Sequence, residues 1–296
     1  MGKRMQGNIM LLVAAMIWGS AFVAQSAGME FVGPFTYNMS RSFVGFLVLV
    51  PVVLIFRRMG TGEQRKTPAQ WREVNVKSVR SGAICGVVLA FASGAQQIGV
   101  SMTTAGKAGF ITALYIIIVP ILGIFLRKRV SGTIWVCAAV AVAGFYLLCV
   151  NEGLSVSAGD LMCLLCAVCF SVHIMVIDRF TSEDTDGILM SCVQFLVAGI
   201  LSAVPALLFE SPTLGAIWDA RLTILYAGAL SSGVGYTLQI LAQRNTDPTV
   251  ASLLMSLESV FAAVSGCLIL GEVLSGREIA GCALVFAAVI LAQVRK

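Results

Sequence analysis

The residues of this sequence that could do chemistry are a few ionisable groups placed inside long apolar runs. Glu258, Arg41 and Lys107 each lie within such a run. A charged side chain in a hydrocarbon environment is costly, so it normally faces a protein interior or a water-filled cavity and serves a function. These three residues are therefore the first candidates for contact with a solute or a coupling ion.

Glu258 lies near the middle of its apolar run. A lone carboxyl at that depth is either protonated or paired with a cation, because its ionised form is poorly solvated away from water. It could contact the amine of a solute or carry a proton during transport. It could equally join two helices through a hydrogen bond, and both interpretations stay open.

Arg41, Lys107 and His173 extend the set of candidates. Arg41 lies about two helical turns inside its run, where it could line a cavity or form an internal ion pair. Lys107 is in the first turn of another run and could bind a solute carboxylate or pair with Glu258, although the simpler expectation is a side chain that extends to the membrane interface. His173 could relay protons, since imidazole titrates near neutral pH, or be a hydrogen-bonded structural residue.

Uncharged polar and aromatic side chains also occur inside the apolar runs. Gln96 and Gln239 occupy equivalent places in two similar segments, where they could flank a cavity or bridge helices. Trp18, Tyr115 and Tyr236 lie away from the ends of their runs. They could stack on a cationic or aromatic solute, or pack as ordinary core.

The sequence indicates neither a bound metal nor a cofactor. All nine cysteines lie in apolar runs, where thiols behave as small hydrophobic groups. Cys163, Cys166 and Cys169 share one helix face, but no histidine or carboxylate converges on them. The chain also contains no nucleotide-binding loop, zinc-protease motif or nucleophile elbow. We therefore expect no metal, no cofactor and no enzyme activity, and we keep a membrane-embedded enzyme or a channel as alternative functions.

These side chains must be positioned by a protein built for a membrane. Of the 296 residues, 58% are hydrophobic and only 12% are charged, whereas a soluble domain carries about 25% charged residues. Apolar runs of about 20 residues suit membrane-spanning helices. We predict an all-α membrane protein with ten transmembrane helices. The predicted spans are 8–27, 35–56, 79–100, 105–126, 132–150, 159–178, 188–209, 221–242, 249–270 and 277–294.

Lysine and arginine are distributed unequally between the two sides of the predicted bundle. When the N-terminus is placed in the cytoplasm, most of the 20 basic residues lie on the cytoplasmic side, as the positive-inside rule requires. We therefore predict a protein of the cell membrane with both termini in the cytoplasm. The basic stretch Arg57–Arg80 is predicted to be a cytoplasmic loop that lies against anionic lipid.

The two halves of the chain resemble each other. Residues 7–10 align with residues 159–162, and residues 96–105 align with residues 239–248. Each half holds five predicted spans, an odd number, so the halves would cross the membrane in opposite senses. This pattern predicts an inverted repeat, an architecture found in many secondary transporters.

Several motifs in the chain resemble those of the EamA family of the drug/metabolite transporter superfamily. The motifs are Ile17-Trp18-Gly19-Ser20-Ala21-Phe22 in the first predicted span, Arg41 with Phe43 in the second, Gly109 to Tyr115 before Pro120 in the fourth, and Ser256 to Phe261 with Leu270-Gly271-Glu272 in the ninth. There are two departures from the family pattern. Ser259 stands where a proline is usual, which puts a kink there in doubt, and Lys128-Arg129 stands where glutamate is often found.

The resemblance implies a ten-helix transporter with a central cavity between two inverted five-helix repeats, placed here at residues 1–150 and 151–296. Members of the family export or exchange amino acids, metabolites or toxic compounds. We expect a secondary transporter of a small organic solute, such as an amino acid or metabolite, that works by alternating access. Its expected partners are that solute and the lipid bilayer, without nucleic acid, and a homodimer remains an open alternative.

Overall fold

The computed structural model describes residues 2–59, 67–103, 105–127, 130–149, 157–181, 184–270 and 275–294, and within these ranges the chain is helical without a β-strand. The helices, numbered in chain order, are α1 (Lys3–Gly28), α2 (Pro34–Met59), α3 (Pro68–Met102), α4 (Ala105–Thr112), α5 (Tyr115–Phe125), α6 (Gly132–Cys149), α7 (Ala158–Phe180), α8 (Gly187–Pro205), α9 (Leu214–Asp219), α10 (Arg221–Tyr226), α11 (Tyr236–Gln243), α12 (Pro248–Met255), α13 (Glu258–Ser265) and α14 (Gly276–Val294). Three π-helical stretches continue the helices before them, at Ala206–Glu210, Ala227–Gly235 and Gly266–Leu270.

Eight helical stretches within the described residues are long and apolar enough to cross a membrane. They are Lys3–Gly28, Pro34–Arg57, Ala69–Met102, Ala108–Phe125, Ala158–Phe180, Gly187–Glu210, Arg221–Gln243 and Pro248–Ile269. This confirms the prediction of an all-helical, multi-pass membrane protein. A shorter apolar helix, Gly132–Leu147, lies in α6, which packs against α14. The total of ten spans and their inverted order remain predictions.

The start of α3 corrects the sequence-based prediction. The sequence predicts a span at 79–100 and a loop over the preceding basic stretch, Arg57–Arg80, but the helix begins at Pro68. The hydroxyl of Thr67 accepts a hydrogen bond from the backbone N–H of Gln70, and the Gln70 side chain accepts one from the Thr67 backbone. This capping box starts a helix although the residues that follow are polar.

The fourth predicted span, 105–126, is not one continuous helix. It divides into α4 and α5 at Ala113 and Leu114. The backbone N–H of Leu114 bonds to the carbonyl of Ile111, and that of Ile116 bonds to the carbonyl of Ala113, at 3.2 and 3.0 Å. These bonds reach back three residues rather than four, so the chain tightens into a turn of 3₁₀ type.

The ninth predicted span, 249–270, is divided in the same way, into α12 and α13 at Ser256 and Leu257. The hydroxyl of Ser256 donates to the carbonyl of Leu253 at 2.8 Å, a side-chain bond that competes with regular helix bonding and bends helices. The break therefore forms without a proline at Ser259. Both stretches are still long and apolar enough to cross a membrane, and the structure adds a break inside each predicted span.

The most extensive helix contacts join the first half of the chain to the second. α3 packs on α7 and α8, α6 on α14, α2 on α8, and α1 on α13. α1 and α13 approach each other closely at Gly19, where a Cβ atom would lie only 2.5 Å from the Cβ of Phe261. A small residue here lets two backbones come together, as in other membrane helix pairs. The core is therefore the interface between the two halves.

Candidate functional site

A cavity lies at the interface between the halves. About 30 Å³ of it can hold the centre of a water molecule, and the space between its lining atoms is about 450 Å³ when the open solvent at its mouth is counted. Seven of the nine residues predicted from the sequence line it, which places them in one site. The lining residues are Trp18, Phe22, Gln25, Arg41, Gln96, Thr112, Tyr115, Phe170, Ile174, Ser231, Tyr236, Gln239, Met255 and Glu258.

Glu258 and Tyr115 meet in this cavity. The Tyr115 hydroxyl donates a hydrogen bond of 2.9 Å to Oε1 of Glu258, whose side chain is buried. Each residue is the first of a helix that follows a break, α5 for Tyr115 and α13 for Glu258. They are 143 positions apart in the chain, the same spacing that relates Gln96 to Gln239. Corresponding positions of the two repeats thus bond to each other at the centre of the molecule.

Arg41 enters the cavity from α2 and is also buried. Its Nε donates to Oδ1 of Asn38 at 2.8 Å, and its Nη1 donates to Oε1 of Gln25 at 3.3 Å. Both partners are neutral amides. The ion pairs found among the described residues involve neither Arg41 nor Glu258. One buried cation and one buried carboxyl therefore line the same cavity, each bonded to neutral groups.

Aromatic rings form an apolar wall of the cavity. The centroids of Trp18 and Tyr236 are 4.8 Å apart, with the ring planes tilted by 56°. Phe195 supports Tyr236 from behind with an edge contact at 5.4 Å. Aromatic pairs at such distances stabilise one another beyond simple burial. The wall is therefore a firm surface beside the two charged side chains.

The other two predicted residues do not line the cavity within the described structure. His173 is fully buried behind Tyr236, with ring centroids 6.0 Å apart, and its Nε2 is 3.2 Å from Oε1 of Gln194. This position suits a structural histidine better than a solute contact. The backbone of Lys107 lies in α4, but its side chain is outside the described residues, so its role stays a prediction.

The structure adds cavity residues that were not singled out from the sequence. Gln25 lies seven positions after Trp18, which places both on one face of α1. Phe170 is the counterpart of Trp18 in the alignment that pairs residues 7–10 with residues 159–162. Helical spacing and the internal repeat were thus signals that could have identified them.

In the part of the chain that the structure describes, cysteines of the shared helix face pack against neighbouring helices. No group of three or more histidine, cysteine, aspartate or glutamate residues there could hold a metal ion. Cys163 packs where α7 crosses α3, at Gly99, and Cys166 lies 3.8 Å from the hydroxyl of Thr112. Of the other motif positions, Lys128, Arg129, Gly271 and Glu272 lie outside the described residues.

Comparison with known proteins gives a consistent result. The sequence profile described as the EamA-like transporter family matches residues 5–150 and, a second time, residues 157–293. An uncharacterized transporter of Archaeoglobus fulgidus is 27% identical over 299 residues, which cover 99% of this chain and 87% of that protein. The uncharacterized transporter YwfM of Bacillus subtilis is 25% identical, over 95% of this chain and 92% of its own length.

A relative with a named solute matches part of the chain. The threonine/homoserine exporter RhtA of Salmonella typhimurium is 29% identical over 172 residues, 55% of this chain and 55% of the exporter. A solved crystal structure superposes with a TM-score of 0.76 at 19% sequence identity, covering 97% of this chain and 96% of that one. The two share a fold over nearly their whole lengths.

Proposed function

This chain belongs to the EamA-like transporter family, and we propose that it exports or exchanges a small zwitterionic solute of the amino-acid type by alternating access. The observation that carries the proposal is the pair of buried charged side chains, Arg41 and Glu258, that line one cavity while bonded only to neutral partners among the described residues.

Arg41 supplies the anion-binding end of the site. A buried guanidinium without a counter-ion is costly, and its two amide partners satisfy only part of its hydrogen-bonding capacity. A solute carboxylate would complete it, because the guanidinium fork matches a carboxylate with two parallel hydrogen bonds. The charge that is unfavourable in the empty site becomes favourable when an acid group is bound.

Glu258 supplies the complementary end. Tyr115 donates to one carboxylate oxygen, and the other has no hydrogen-bond donor among the described residues, so it can accept from a solute ammonium or bind a proton. When Glu258 is ionised, the two side chains together contribute a net charge of zero. A zwitterion can therefore bind both without bringing excess charge into a membrane interior, whereas a simple amine or a simple acid would satisfy one end only.

The solute class agrees with one relative. The partly matching exporter is named for threonine and homoserine, both of which are zwitterions at neutral pH. The aromatic wall beside the charges is compatible with a small aliphatic side chain. An amino acid of this size is therefore the solute that we propose first.

Alternating access is proposed from the helices that carry the site. Both Tyr115 and Glu258 follow helix breaks, and discontinuous helices at a repeat interface are a recurrent feature of secondary transporters. We further propose two inverted five-helix repeats, 1–150 and 151–296, in the cell membrane with both termini in the cytoplasm. A fluorescent protein fused to the C-terminus should then be bright in a bacterial host, and a dark fusion would contradict this topology.

The zwitterion hypothesis can be tested by ligand-dependent stability. Purified protein in detergent is heated with threonine, with 1-aminopropan-2-ol, which lacks the carboxylate, or with 3-hydroxybutyrate, which lacks the amine. A ligand that binds the folded form raises its apparent stability. We expect stabilisation by threonine and none by the two fragments at equal concentration. Equal stabilisation by either fragment would contradict the two-ended site.

A further inference from the structure

Trp18 is held in one orientation by contacts with a single stretch of the second half, and we infer that its indole sets the upper size limit of the solute side chain. The inference rests on the proposed function, because it concerns the same cavity. It goes further by assigning solute selectivity to one residue.

The first contact is a hydrogen bond. Nε1 of Trp18 donates to the carbonyl oxygen of Ser231 at 3.3 Å. Ser231 belongs to the π-helical stretch Ala227–Gly235, and its carbonyl also accepts from the backbone N–H of Tyr236. π-helical turns inside helices are rare and occur frequently at functional sites. This stretch therefore presents a backbone acceptor to a side chain of another helix.

The second contact is a close approach at Gly235. A Cβ atom on this residue would lie 2.7 Å from Nε1 of Trp18, so the indole can occupy its place only because residue 235 has no side chain. The third contact is the ring of Tyr236, 4.8 Å away between centroids. The Ser231 carbonyl, the space beside Gly235 and the Tyr236 ring all belong to one short chain segment. Together they fix the indole of Trp18.

The fixed indole forms part of the cavity surface beside the charged side chains Arg41 and Glu258. If these two hold the charged groups of the solute, its side chain must fit the remaining aromatic wall. A larger side chain would have to displace the indole and lose its hydrogen bond and ring contact together. A packed wall of this kind discriminates by size, with about tenfold or more for a modest increase in bulk.

Substitutions at two positions, Trp18 and Gly235, should move the size limit in opposite directions. Trp18→Ala removes the indole and should admit larger solutes, and Trp18→Phe should have a smaller effect in the same sense. Gly235→Ala keeps the indole but pushes it away from the π-helical stretch and into the cavity, which should shift the limit toward smaller solutes. Trp218→Ala is the matched control, because Trp218 is exposed and does not line the cavity.

The test measures binding by thermal stabilisation of each purified variant with glycine, alanine, threonine, leucine, phenylalanine and tryptophan. We expect wild-type protein to bind the small members, and Trp18→Ala to bind phenylalanine about tenfold more tightly than wild type while its affinity for alanine changes little. If Trp18→Ala fails to fold, Trp18→Phe and Gly235→Ala still give opposite shifts.

The outcomes separate the two claims. If wild-type protein binds small members and the size limit is the same in all variants, Trp18 does not set the limit and the proposed function stands. If wild-type protein binds no member of the series, the proposed function is wrong and the inference falls with it.

Discussion

A guanidinium and a carboxyl face one cavity, and among the described residues each is bonded to neutral groups. Arg41 donates to Asn38 and Gln25, and Glu258 accepts from Tyr115. Burial of a charged group is compensated only in part by neutral hydrogen bonds. The remaining deficit is what a solute of opposite charge can supply, so these residues carry the most direct predictions.

Replacement of Arg41 should weaken solute binding, and the loss should be larger for Arg41→Gln than for Arg41→Lys. Hydrogen bonds to charged groups contribute about 1.5–3 kcal/mol, so Arg41→Gln should lower the affinity for threonine about tenfold to hundredfold. Arg41→Lys keeps the charge but loses the fork geometry, and should lie between Arg41→Gln and wild type. Competition binding on purified protein measures this, with Arg179→Gln, an exposed arginine, as the control. Wild-type affinity in Arg41→Gln would contradict a role in carboxylate binding.

Glu258→Gln should remove the pH dependence of transport if this carboxyl carries the coupling proton. The amide oxygen can still accept from the Tyr115 hydroxyl, so the variant should fold and keep the helix break. Initial rates of uptake into vesicles, measured across a pH series, test this against Glu30→Gln, an exposed glutamate. Unchanged pH dependence in Glu258→Gln would exclude the coupling role.

At the residue scale, the sequence predicts much of the site. Ionisable and aromatic residues inside apolar runs stand out without any structure, and Arg41, Glu258 and Trp18 were found in this way. Tyr115 and Tyr236 were candidates as well, but the sequence did not show which residue pairs with which. The bond from Tyr115 to Glu258 joins positions 143 apart, and such a pairing depends on how helices pack rather than on any local pattern.

At the scale of elements, α2 and α8 are tied together at both ends. At one end, the Glu210 carboxylate accepts from the backbone N–H groups of Phe35 and Thr36, at 2.9 and 2.7 Å, and so caps the start of α2. At the other end, Arg57 lies 3.8 Å from Asp186, which caps the start of α8. The π-helical stretch that continues α8 thus caps the start of α2, and Arg57 of α2 pairs with the residue that caps α8.

Loss of the Glu210 cap should destabilise the protein. Glu210→Ala leaves two N–H groups at the start of a long helix without their acceptor, which costs about 1–3 kcal/mol. Glu210→Gln keeps one good acceptor and should lose less. Thermal unfolding in detergent measures both, with Glu30→Gln as the exposed control. Stability equal to wild type in Glu210→Ala would show that the cap contributes little.

The helices could be predicted from hydropathy, but their breaks and the polar start of α3 could not. Apolar runs located the helices well, because hydropathy reports burial in lipid directly. The breaks at Ala113 and Ser256 change neither the apolar composition nor the spacing of polar residues. The sequence therefore predicts single spans at 105–126 and 249–270 and does not show the breaks. The polar start of α3 was read as a loop, although Thr67 and Gln70 form a recognisable capping box.

At the scale of the whole molecule, one chain holds two copies of a family repeat, and the most extensive helix contacts run between them. The cavity lies at this interface, and its charged lining comes from both copies, with Arg41 from the first and Glu258 from the second. A relative motion of the halves would therefore change the distance between the two ends of the site. Under the proposed function, such a motion would couple solute binding to the change of conformation.

The most direct test of transport is counterflow in liposomes that contain the purified protein. Liposomes are loaded with unlabelled threonine and diluted into trace labelled threonine. We predict transient, saturable accumulation of label that is reduced by homoserine and lost in the double variant Arg41→Gln/Glu258→Gln. Flux that does not saturate, or accumulation that the double variant leaves intact, would contradict a zwitterion transporter that uses this cavity.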